Sequence, residues 1–110
     1  MSTHHMKLQP SPFKKMKRGT KTIEIRLYDE KRRKIKIGDE IKFSLATDPT
    51  QTIKAVVVSL KKFPTFKEMF KAYPTEKYGS ENQNEWNLMY KYYSLEEEVK
   101  YGVLAIQVKF

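Results

Sequence analysis

Thr22, Glu24, Arg26 and Tyr28 place a hydroxyl, a carboxylate, a guanidinium and a phenol on alternate residues of one short stretch. Ile23, Ile25 and Leu27 fill the positions between them. Strand side chains alternate between two faces, so the spacing predicts one apolar face and one row of polar groups. Gly19 and Lys21 stand at the mouth of that row. Fixed donors and acceptors in a row can hold a polar ligand. A lysine and a carboxylate brought together in a partly dry cleft can do acid–base chemistry, which makes Lys21 and Glu24 the catalytic candidates. Arg26 offers a planar fork to a phosphate or a base edge. The competing reading is structural. Glu24 can pair with Lys21 or Arg26, and Arg26 with an acid of residues 96–98, as exposed ion pairs worth about 0–1 kcal/mol each.

The charge around this row is uneven. Residues 14–36 hold eleven Lys or Arg against three acids, which is +8 of the chain's net +9. Such a block attracts polyanions and releases their counterions on binding. Lys14, Lys15, Lys17 and Arg18, just before the polar row, are the candidate phosphate contacts. The same block also serves solubility if it is only a solvated face. Tyr28, Tyr90, Tyr92 and Tyr93 are candidates to stack an unpaired base. Trp86 reads first as a core residue.

Other chemistries find no residues. The chain has no cysteine, which excludes disulfides, thiolate metal sites and cysteine nucleophiles. The two histidines, His4 and His5, have no third to complete a metal site, and the carboxylates of residues 96–98 are consecutive and cannot converge on one ion. Gly19 stands alone, so there is no phosphate-cradling glycine loop. No metal and no cofactor are expected. No apolar run reaches the roughly 20 residues of a membrane helix. The composition fits a cytoplasmic protein.

A chain of 110 residues supports one core. Residues 1–6 read as a flexible tail before a single domain over residues 7–110. A helix is expected over residues 11–19, capped by Ser11 with Pro12 in its first turn. The polar row follows as a strand over residues 21–28. Residues 29–33 read as a charged turn and 34–37 as a short alternating stretch. Residues 40–45 and 52–60 read as strands, separated by a turn at Asp48–Pro49. Thr65 and Glu68 form a capping box for a helix with Phe66, Met69 and Phe70 inward. Residues 74–84 read as a mobile loop and 85–93 as a short helix. Ser94 and Glu97 open a last helix that Gly102 ends, before a final strand over residues 103–110. Strands on both sides of a helical excursion, without βα alternation, give an α+β fold. Its mostly antiparallel strands curl into a small barrel flanked by helices.

Three stretches carry a family resemblance. Gly-Thr-Lys-Thr-Ile-Glu-Ile-Arg (19–26), Ile-Lys-Ile-Gly-Asp (35–39) with Ile-Lys-Phe (41–43), and Tyr-Ser-Leu-Glu-Glu-Glu-Val-Lys-Tyr-Gly-Val (93–103) resemble the ASCH family. The last is similar to the end of its small stand-alone bacterial members. The resemblance runs from about Met6 to Phe110. It implies a PUA-like pseudo-barrel with a cleft for RNA or a nucleotide-like ligand. One enzymatic branch of the family removes the acyl group from N4-acylated cytidine. That branch uses a lysine matching Lys21, a threonine nucleophile and a later glutamate, for which Glu68 and Glu76 both stand as candidates. The threonine position is Glu24 here, so the nucleophilic hydroxyl is absent where that mechanism needs it. Other members are proposed to cleave RNA.

The expectation is a barrel that binds RNA or a nucleotide-like ligand. Its cleft is lined by Lys21, Thr22, Glu24, Arg26 and Tyr28, with Lys14, Lys15, Lys17 and Arg18 along a phosphate backbone. The alternative is a small hydrolase of RNA or a modified nucleoside, with Glu24 as acid or base and Lys21 as its electrostatic partner. A third reading is a basic interaction module without chemistry. No membrane partner is expected.

Overall fold

The structure is a computed structural model and describes residues 2–110. Its five strands are β1 (Thr3–Leu8), β2 (Ile23–Leu27), β3 (Glu40–Leu45), β4 (Asp48–Phe63) and β5 (Val103–Lys109). They form one sheet in the order β1-β3-β4-β5-β2. β1 runs parallel to β3, and the other pairs are antiparallel. The long β4 pairs with β3 through its first half and with β5 through its second. A register shift between Val57 and Ser59 separates the halves. An extra residue at such a point bends a strand and increases its twist, and the sheet curls into a half-barrel. This is the α+β, PUA-like architecture that the sequence predicts.

The curl leaves β1 and β2 as the two edges. The inner face holds one apolar cluster, built from Met6 and Leu8 of β1, Ile41 and Phe43 of β3, Ala55 and Val57 of β4, and Leu104, Ile106 and Val108 of β5. Phe13 and Met16 complete it from α1 (Pro10–Lys17). A second cluster covers the other face near β2. There Ile23, Ile25, Leu27, Val103 and Ala105 meet Phe66, Met69 and Phe70 of α2 (Phe66–Ala72) and Tyr78 of α3 (Thr75–Tyr78). The last helix, α4 (Leu95–Tyr101), opens with the reciprocal Ser94–Glu97 capping box and ends at Gly102. Its buried Glu98 accepts from the Phe66 N–H at 2.8 Å and from the Tyr90 hydroxyl at 2.7 Å. One carboxylate thus joins α4 to the start of α2. Burial and this bond push the Tyr90 hydroxyl up to about 12.

Several local expectations are corrected. Residues 3–6, expected in a flexible tail, form most of β1. Met6 and Leu8 alternate into the core, and His4 Nε2 and the Ser2 N–H meet the Asp39 carboxylate at 2.8 and 3.2 Å. α1 starts at Pro10, after Gln9, rather than at Ser11. Pro10 and Pro12 both suit a first turn whose N–H groups have no helical partner, and the earlier one sets the start. Residues 34–37 make no strand. Asp39 takes the Lys36 N–H at 3.0 Å, a local bond that competes with a ladder, and residues 32–34 form a 3-10 turn. The β3–β4 reversal falls at residues 46–47, and Asp48 and Pro49 open β4. Residues 74–84, expected as a mobile loop, carry α3, because Tyr78 is buried and its hydroxyl donates to Phe70 O at 2.8 Å. The short helix expected over residues 85–93 is a 3-10 helix over residues 83–91, starting two residues earlier.

The role of β1 is testable. Met6 is 4% exposed. Met6→Ala should lower unfolding free energy by about 2–5 kcal/mol, the usual cost of a large-to-small core change, in a urea titration. Unchanged stability would mean that β1 is not part of the core.

Candidate functional site

Glu24 and Arg26 lie opposite Ile106 and Leu104 across the β2–β5 ladder, on the inner face. The apolar alternation of β2 puts Ile23, Ile25 and Leu27 under the helices, so the two charged groups must point into the half-barrel beside its core. Glu24 is 6% exposed and Lys21 is 3% exposed. The surface-pair reading is therefore replaced by a buried network.

Its geometry is closed around one carboxylate. Glu24 Oε2 accepts from Arg26 Nε at 2.8 Å and from Nη2 at 2.6 Å. Glu24 Oε1 faces Lys21 Nζ at 3.1 Å. The Lys21 ammonium also donates to Ile23 O at 2.7 Å and to Tyr78 O at 3.2 Å, so three oxygens meet its three donors. Burial alone would raise the Glu24 carboxyl, but the charges of Lys21 and Arg26 and their hydrogen bonds outweigh it and hold Glu24 below the usual carboxylate range. Burial lowers Arg26, and the Glu24 charge outweighs that and raises it.

Arg26 also reaches across the open side of the half-barrel. Its Nη2 donates to Lys7 O of β1 at 2.9 Å, which links the two edge strands of the sheet. Three of the five guanidinium N–H groups are thereby engaged, the remaining two are on Nη1, and the Tyr93 hydroxyl lies within reach of the guanidinium. A cleft of about 440 Å³ opens at this seam, lined by Lys7, Gln9 and Pro12 on one side, Glu24 and Arg26 on the other, and Met89, Tyr92 and Tyr93 from the helical excursion. A smaller cleft of about 200 Å³ adjoins it, sharing Glu24 and Met89 and reaching Lys21, Tyr78 and Gly79.

The structure brings Lys21, Glu24 and Arg26 together and leaves other candidates outside. Tyr28 lines neither cleft, and its ring lies under Lys62 Nζ at 4.7 Å and the Arg33 guanidinium at 5.2 Å. Thr22 is tied through its backbone, to Lys77 O at 2.8 Å and from Val108 N at 2.9 Å, and its side chain lines neither cleft. Lys14, Lys17 and Arg18 are exposed on and after α1. Lys15 is half-buried, and its Nζ donates to Gly79 O at 2.8 Å. Lys15 and Lys21 together cap the last carbonyls of α3, where Gly79 turns with φ 84°. Among the tyrosines, Tyr90 is edge-on to Phe66 and Trp86, and Tyr93 stacks on Phe66 at 5.6 Å. Tyr92 is 70% exposed at the rim of the seam cleft. Lys7 and Gln9 were missed at the sequence level, and the Met6–Leu8 alternation was the signal that could have placed Lys7 on a strand and Gln9 just after it.

The curled five-stranded sheet with its flanking helices is an α+β half-barrel of the PUA-like class. The chain belongs to the ASCH domain family, whose model matches residues 6–110. Among solved structures, the crystal structure of hypothetical protein PH0355 is 37% identical with a TM-score of 0.85, covering 99% of this chain and 98% of that one. The solution structure of PF0455 from Pyrococcus furiosus is 33% identical with a TM-score of 0.72, over 97% and 96%. A mutant form of ZmASCH from Zymomonas mobilis shares the fold at 15% identity and a TM-score of 0.71, over 98% of this chain and 68% of that one. No curated protein matches the chain.

The network predicts a stability phenotype. Glu24→Gln leaves two cations around a neutral amide and should cost about 3–5 kcal/mol, the usual range when one partner of a buried pair is removed. The folded Glu24 carboxyl titrates below its unfolded value, so its contribution is complete above the ordinary carboxylate range and is lost as pH falls through the folded pKa. Asp39, lowered to about 2 chiefly by the His4 hydrogen bond, adds to the same acid limb. Urea unfolding between pH 7 and pH 2 should show stability falling on the acid side, and a shallower fall in Glu24→Gln. An equally steep acid limb in the variant would contradict this account.

Proposed function

We propose that this protein binds RNA, holding an unpaired nucleotide in the seam cleft. The observation that carries the reading is the Arg26 guanidinium. Glu24 and Lys7 fix its plane, and it still has donor capacity at the wall of a cleft sized for a base. An oriented fork recognises a phosphate or a base edge at little ordering cost. Tyr92 supplies an exposed aromatic face at the same rim. α1 begins at the cleft wall and leads to Lys14, Lys17 and Arg18, which attract a phosphate backbone without fixing its orientation. Membership of a family generally regarded as RNA-associated supports the same reading.

Binding is favoured over turnover by the state of the charged row. A general base works best with a pKa near the working pH, and Glu24 is held well below it. Lys21 has its three donors occupied and offers none to a developing oxyanion.

The test is a titration of a short single-stranded RNA from low to physiological salt. A few phosphate contacts give a slope of roughly −2 to −4 in log affinity against log salt. Arg26→Lys keeps the charge and loses the fork, so it should weaken binding more than Lys14→Arg or Lys17→Arg, which should be nearly silent. Tyr92→Ala should cost about 1–3 kcal/mol, the value of one stacked base. Absence of binding at low salt, or equal small effects at all four sites, would refute the reading.

A further inference from the structure

Arg26 and Lys7 also border a second cleft, of about 360 Å³, which adds His5, Lys31, Arg32 and Ser44 to its wall. Its chemistry differs from that of the seam cleft. Four of the lining residues are Lys or Arg, and no carboxylate among the described residues lines it. These lining residues come from three elements. Lys7 and His5 stand on β1, Arg26 on β2, and Lys31 and Arg32 at the 3-10 turn after β2. Arg32 is placed by Asp29, which accepts from its Nη1 at 3.1 Å and from its N–H at 3.1 Å. That bond leaves Arg32 Nε buried and without a hydrogen-bond partner, the single buried side-chain polar atom so found among the described residues. Buried donors are ordinarily satisfied, so this one is an unpaired donor on a side chain that also lines the cleft. A phosphate, whose several oxygens can be shared among these donors, meets this arrangement better than a single carboxylate does.

We propose that this cleft is a phosphate subsite, and that the ligand of the seam is recognised as a phosphorylated nucleotide rather than as a nucleoside. The base lies in the seam cleft by Tyr92, the phosphate lies among Lys7, Lys31 and Arg32, and Arg26 stands between them as a wall of both clefts. This deepens the RNA reading and rests on it.

The experiment is calorimetric titration of the wild-type protein with the four nucleoside 5′-monophosphates and with the four nucleosides, at low salt. The tightest monophosphate should bind at least about tenfold more strongly than its nucleoside, the size of one charge-assisted hydrogen bond. Lys31→Glu alters the phosphate cleft and not the seam cleft, and should bring that ratio to about twofold or less. Lys71→Glu makes the same charge change at an exposed position on α2 and should keep the ratio. Equal affinity for monophosphate and nucleoside, including no binding of either, overturns the proposal. So does a ratio lost equally in Lys71→Glu, which would reduce the preference to net charge. Failure of the base reading looks different: Tyr92→Ala would leave monophosphate affinity unchanged while Lys31→Glu still lowered it.

Discussion

One carboxylate sets the geometry of this molecule around its seam. Glu24 stands beside the core, where an uncompensated charge is costly, and two cations must therefore be brought to it. Lys21 arrives with the carbonyls of Ile23 and Tyr78, which fastens α3 to the mouth of β2. Arg26 arrives with the carbonyl of Lys7, which ties β2 to β1 at the far edge of the sheet. The need to neutralise one buried group thus draws three segments together, although they are distant in sequence. A hydrophobic replacement could fill the same space, but it would not orient a guanidinium at the edge of a cleft.

The same constraint limits the chemistry open to the row. Groups poised for acid–base work keep a pKa near neutrality and an unfilled coordination position. Here each charge is satisfied by another, so the row is rigid and electrostatically quiet toward Lys21. Its one outlet is on the Arg26 side. An arginine whose fork is already partly occupied loses little side-chain freedom when a ligand takes the remaining donors, which favours specificity through geometry.

Much of this was legible in the residues. Strict alternation over 22–28 identified β2, its apolar face and the polar row, because period 2 has a single geometric meaning on a strand. The capping residues Thr65 and Ser94 fixed the starts of α2 and α4, since a side-chain cap is a local interaction. What stayed hidden was non-local. β1 is a strand because β3 offers it an edge, and only two of its residues, Met6 and Leu8, enter the core. Tyr28 shares a face with Glu24 and Arg26 by alternation, yet it lies at the end of the strand, where Lys62 of β4 and Arg33 take its ring. Lys15 read as one more mobile cation on a basic helix. Its anchoring to Gly79 depends on α3, in a segment whose polar composition signalled a loop.

The basic block of residues 14–36 separates into parts once it is folded. Lys15 and Lys21 are committed to backbone carbonyls and Glu24, and Arg26 is committed in part, with its two Nη1 N–H groups outside those bonds. Lys14, Lys17 and Arg18 face solvent, where charge acts at long range and is screened by salt. Lys31 and Arg32 form a third part, turned toward the seam and joined by Lys7 from outside the block. Net charge alone would assign all of them to one electrostatic surface. Folding places them in three settings: bonded within the seam, exposed to solvent, and lining a cleft beside the seam. A nucleic-acid ligand needs the last two in succession, first capture by a diffuse field and then placement by fixed donors. Arg26 belongs to the first setting by its bonds to Glu24 and Lys7, and to the third because it also lines that cleft. On the proposed reading, the strength of the seam and the precision of ligand placement depend on the same side chain.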